Sequence, residues 1–158
     1  MAWSMKTLFT MGYTQKSLKD FVTLLKKNNI EKLIDIRLKN KSQLAGFAKG
    51  EDLKFLLDDL LSIKYSYQPL LAPTEEMLKK YRADKNWEEY VTSFTRLMQE
   101  RDMTNILKQE MLDADKVCLL CSEDLPKQCH RRLLAENYKQ FDDSIEVIHL
   151  SKKDLKNL

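Results

Sequence analysis

Glycine and proline are scarce in this chain, three of each in 158 residues. Their scarcity excludes the collagen-like and low-complexity classes, and 43% apolar with 32% charged residues is the balance of an ordinary globular protein. No apolar run approaches the ~18 residues that a membrane span needs, so no membrane partner is expected. The opening residues, MAWSMKTLFT, lack the charged, apolar and small-residue order of a secretory signal. Cysteine is rare and odd in number, three in all. Two of them lie on apolar patterns, which excludes a disulfide framework and points to the reducing cytoplasm. No second Cys-x-x-Cys and no His-x-x-x-His pair exists, and the neighbours Cys129 and His130 do not easily ligate one ion together. No metal and no other cofactor is therefore expected. A basic stripe is missing too: the net charge is only +3. The one cluster, Arg37, Lys39, Lys41 and Lys49, is either a phosphate-binding segment or a solvated loop.

What is present is an alternation of strands and helices. Lys6–Met11 is short and half apolar, and Gly12 ends it as a first strand. Leu18, Phe21, Val22, Leu24 and Leu25 recur at helical spacing behind Ser17, a capping residue. Lys32–Arg37 is the second strand, parallel to the first. Lys39–Gly50 has no period and reads as a polar loop. Leu53 to Leu61 is helical, starting near Glu51 or Asp52, and Lys64–Leu70 is a third strand ending at Pro69. Thr74 caps a helical stretch that runs to Leu112, with a break near Asp84-Lys85-Asn86. Val117–Leu120 is wholly apolar, as in a strand buried on both faces of a parallel sheet. A helix near Pro126–Gln140 and a strand at Ile145–Leu150 follow. The expectation is a single α/β domain over residues 1–158, a mostly parallel sheet of about five strands covered by helices in Rossmann-like layers.

In such a sheet the carboxyl ends of strands one, two and four share the edge at which ligands bind. That edge gathers Gly12, Tyr13 and Thr14, then Asp35 and Arg37, then Cys121 and Glu123. A thiol just past a buried strand, near a helix start and an arginine, is a candidate nucleophile; the alternative is a small apolar residue closing a core strand. Glu123 is a candidate acid or base, or an arginine's partner. Spaced i, i+4, i+8 with Leu125 and Leu133, Cys129 belongs on the helix face that meets the sheet. His130 lies about 100° further round, as a ligand contact or a cap on backbone carbonyls. Arg131 and Arg132 follow, one of them expected in solvent.

Two thiol chemistries fail on spacing. A phosphatase Cys-x5-Arg loop starting at Cys121 requires arginine where Lys127 stands, and this loop has no glycine to let its amides wrap a phosphate. Asp35-Ile36-Arg37 matches the end of an early strand in rhodanese-like domains, but their short loop after the cysteine is missing.

Taken together, Thr10-Met11-Gly12-Tyr13-Thr14, Asp35-Ile36-Arg37 with Ser42 shortly after, and Leu119 to Glu123 leading to Cys129-His130-Arg131 resemble the domain of unknown function 488 family. The resemblance runs from about Lys6 to Leu150. It implies an α/β fold and a polar site built from these motifs, with Thr10, Gly12, Tyr13 and Ser42 among its binding residues; it implies no particular reaction. Two positions depart from the pattern: Tyr13 stands where histidine is usual, and Lys39-Asn40-Lys41 stands where a proline often follows Asp-x-Arg.

Two functions follow as expectations. One is an enzyme on a phosphorylated, nucleotide or other anionic substrate, with Arg37 and Arg131 holding the anion, Cys121 or Glu123 reacting and Asp35 orienting a partner. The other is a non-catalytic module binding nucleic acid or a nucleotide through Arg37, Lys39, Lys41 and Lys49. A third, structural role leaves the polar cluster merely satisfying buried groups.

Overall fold

A computed structural model describes residues 5–41, 43–122 and 129–156, with backbone only at 43–45. Five strands form one sheet: β1 (Thr7–Gly12), β2 (Lys32–Asp35), β3 (Lys64–Tyr67), β4 (Lys116–Cys121) and β5 (Glu146–His149). Their order is β3-β2-β4-β1-β5, and every pairing is parallel. The α/β expectation holds. One detail of the topology was not legible beforehand: β4 inserts between β1 and β2, so the first two strands never touch.

Six α-helices cover the sheet among the described residues: α1 (Leu18–Lys27), α2 (Gly50–Lys54), α3 (Glu75–Asp84), α4 (Trp87–Glu100), α5 (Met103–Glu110) and α6 (His130–Phe141). Ser17 caps α1 in a reciprocal box with Asp20, which satisfies two backbone amides that the helix cannot pair itself. Thr74 and Asn86 cap α3 and α4. The segment expected as a loop contains a 3-10 turn at Gln43–Ala48, and α2 begins at Gly50 before passing into a π-helical turn at Phe55–Leu60. The stretch 74–112 breaks twice. Lys85 (φ 54°) ends α3 and Asp102 (φ 50°) separates α4 from α5.

The period-two alternation of each strand divides the core into two layers. Phe9, Met11, Leu33, Cys118 and Leu120 pack with Phe21, Leu24 and Leu25 of α1 and Leu53 of α2. Leu8, Ile34, Val117, Leu119 and Cys121 pack on the other face against Tyr90, Phe94 and Leu97 of α4, Leu107 of α5 and Leu134 of α6. Alternation thus sends Cys118 and Cys121 to opposite faces. No helix among the described residues is long and apolar enough to cross a membrane.

Candidate functional site at the carboxyl edge of the sheet

Pairing β4 between β1 and β2 places Gly12 opposite Cys121 and Asp35 opposite Leu120. The zipper continues past the strands: the Tyr13 amide donates to the Cys121 carbonyl (3.1 Å), and the Thr14 amide (3.0 Å) and hydroxyl (2.7 Å) both donate to the Ser122 carbonyl. The Ile36 amide donates to Leu120 (3.0 Å) from the other side. Three of the sequence motifs therefore meet at one edge because three parallel strands end together.

Asp35 is fully buried. Its carboxylate accepts a bidentate pair from Arg37, Nε at 2.8 Å and Nη2 at 2.7 Å, and also the Arg37 amide at 3.2 Å. Tyr65 Oη (2.6 Å) and Asn40 Nδ2 (3.2 Å) complete its partners. A buried carboxylate keeps its charge only with such compensation. Arg37 in turn donates to the Ala48 carbonyl (2.6 Å), and its guanidinium carbon lies 5.1 Å from the centre of the Tyr13 ring. Asp35 is thus committed to positioning Arg37.

Cys121 is 1% exposed and Cys129 6% exposed, and their Sγ atoms are 3.0 Å apart. Arg131, wholly buried, aims Nη1 at Cys121 Sγ from 3.6 Å. The Cys129 thiol is held well above its ordinary value, first by its hydrogen bond to Cys121 and then by burial. Cys129 belongs to the core cluster, as its spacing suggests, but it does so as the residue capping α6 and not from within a helical turn. Cys118, on the opposite face, is pushed up to about 12 by burial.

His130 opens α6. Its Nε2 lies 3.0 Å from the Ile36 carbonyl, which only accepts, so Nε2 carries the proton and Nδ1 offers a lone pair 3.9 Å from Cys129 Sγ. Burial lowers its pKa to about 4, with Arg131 acting the same way and the Ile36 bond opposing. The ring meets Phe94 edge-on at 5.7 Å. Thr10 is buried and shares a 2.6 Å hydrogen bond with His149 Nδ1 of β5. Arg132 pairs with Glu136 at 3.7 Å. Glu123, Ser42 and the expected helix start at Pro126 lie outside the described residues.

Above the thiol pair opens a cleft of about 370 Å³. Arg37, Lys39, Cys121, Ser122, Cys129 and His130 line one side; α3 and the start of α4 supply the other, with Glu75, Leu78, Tyr81, Arg82, Lys85 and Tyr90. Among the described lining residues, four cations face one carboxylate, Glu75, which pairs with Lys39 at 3.2 Å. Sequence reasoning missed the α3 wall. Arg82 and Lys85 look like any basic residues on a solvated helix, and the break at Lys85 was the one available signal. A larger open depression of about 810 Å³ lies at the amino edge of the sheet, lined by Lys26, Glu31, Lys64, Asp113 and Asp115 among others, and holds no thiol.

A five-stranded, all-parallel sheet covered by helices defines an α/β protein. The family described as "Domain of unknown function DUF488" matches residues 17–138, most of the chain, and the protein belongs to that family. No curated protein and no solved structure was found to match it.

Proposed function

We propose that the protein is an enzyme acting on a phosphorylated, nucleotide or other anionic substrate, with Cys121 as its nucleophile. The observation that carries this reading is the placement of the Cys121–Cys129 pair at the base of a cleft rimmed by Arg37, Lys39, Arg82 and Lys85. Arg82 and Lys85 attract the anion, while Arg37 is held on Asp35 and Lys39 on Glu75; Arg131 stabilises negative charge on the Cys121 sulfur from behind. His130, neutral and tied to Ile36, holds the start of α6 against the cleft. The non-catalytic nucleic-acid reading is less well supported, because Arg37 is buried on Asp35 and Lys39 is paired with Glu75.

Alkylation provides the test. Anionic iodoacetate should modify Cys121 in the folded protein faster than neutral iodoacetamide does, reversing their order on a simple thiol by about tenfold. Lys85→Ala combined with Arg82→Ala should erase that preference. No labelling of Cys121 under native conditions, or labelling without preference for the anion, would refute the reading.

A further inference from the structure

We propose that Cys121 and Cys129 form a two-electron dithiol site whose substrate is a small anionic disulfide. This rests on the reading of the cleft given above and names its substrate class. A single nucleophilic thiol has no need of a second one at 3.0 Å. An adjacent thiol does nothing for a phosphoryl group on sulfur, since displacing it would only move the phosphoryl group. When Cys121 instead carries a mixed disulfide, Cys129 can displace its leaving group directly.

The geometry divides the roles. Cys121, at the carboxyl end of β4, accepts from the Arg131 guanidinium at 3.6 Å; Cys129 stands beside it at the start of α6, and both line the cleft. The Cys121 thiolate attacks one sulfur of the substrate, forming a protein–substrate disulfide and expelling the first thiolate, which takes up the proton of Cys129. The Cys129 sulfur then attacks Cys121 Sγ and expels the second thiolate, which takes its proton from water, replacing the one Cys121 gave to solvent on ionising. The substrate is reduced to two thiols and the protein is oxidised to the Cys121–Cys129 disulfide; an external dithiol returns it to the starting state. Closing from 3.0 Å to the bonded separation of about 2.05 Å asks for a shift of roughly an ångström. Cys118 cannot substitute, because it faces the other layer of the core.

The native protein is incubated with oxidised glutathione, an anionic disulfide, and in parallel with cystamine, a cationic one. Peptide mapping should find the Cys121–Cys129 disulfide, formed faster with oxidised glutathione by about tenfold, and Cys118 unmodified. In Cys129→Ser the glutathione adduct should accumulate on Cys121; Cys129→Ala serves the same purpose if the serine variant does not fold. A missing Cys121–Cys129 disulfide in the wild-type protein, or an adduct located elsewhere than Cys121, would overturn the dithiol site. Equal or faster oxidation by cystamine would overturn the anionic substrate. Failure here together with a clear iodoacetate preference removes only this inference and leaves the cleft reading standing.

Discussion

His130 illustrates how a residue's environment, not its type, sets its behaviour. In the unfolded chain its imidazole titrates near 6.5, whereas in the fold burial takes it to about 4. Between those values the unfolded chain binds a proton that the native protein refuses. Stability must therefore fall as the pH drops through that window, by about 3 kcal/mol in total. Urea unfolding from pH 7 to pH 4 should show this slope, and His130→Gln, whose amide can still donate to the Ile36 carbonyl, should flatten it. An unchanged slope in the variant would contradict a neutral buried His130. The buried Asp35–Arg37 unit is instead saturated with hydrogen bonds, to each other, to Tyr65 and to the Ala48 carbonyl. Asp-x-Arg was readable as a motif, but nothing in it distinguishes a carboxylate that reacts from one that holds an arginine.

At the scale of elements, Gly50 joins α2 to the buried charge. Its amide donates to the Asn40 carbonyl at 2.6 Å, and a Cβ added there would come within 2.5 Å of Asn40 Nδ2. That same Nδ2 reaches Asp35 at 3.2 Å and Tyr65 Oη at 3.1 Å, so Asn40 has little room to yield. Alanine ordinarily gains about 1 kcal/mol over glycine in a helix. Here the clash wins, and Gly50→Ala should destabilise by about 1–3 kcal/mol, measured by thermal or urea unfolding. A variant as stable as the parent would show that Asn40 is not fixed. The helices were legible where an apolar stripe existed, as in α1 and α4. The pattern Leu53 to Leu61 announced a helix but not its faces: Leu53 and Leu57 are buried, while Phe55 and Leu60 are 56% and 60% exposed. The turn at Gln43–Ala48 escaped notice because its residues carry no period, and α6 runs from His130, directly after Cys129 in extended backbone.

For the whole molecule, the order β3-β2-β4-β1-β5 sets both stability and site. β2, β4 and β1 are paired on both sides, whereas β3 and β5 are edges. Amide hydrogen exchange should therefore be slowest in β4 and β1 and markedly faster in β3 and β5, following the gradient from central to marginal structure. Edge strands protected as strongly as the centre would argue against this order or for a covered edge. The order also explains why the cleft has its composition. β4 brings a thiol between the ends of β1 and β2, and the connection from β3 back to β4 lays α3 and α4 across the opening.

The sequence by itself determined the alternation of strands and helices, the parallel sheet and the edge at which its polar motifs converge. These follow from apolar period, caps and chain direction, all local properties. Only the tertiary structure decided which polar residues line the cleft and which serve the fold. It sealed Asp35 onto Arg37, drew Cys129 to 3.0 Å from Cys121, and brought Arg82 and Lys85 to the cleft from a helix with no motif. Those contacts join residues distant in the chain or set by a single backbone turn. Their energies come from burial and pairing, which exist only once the layers have packed.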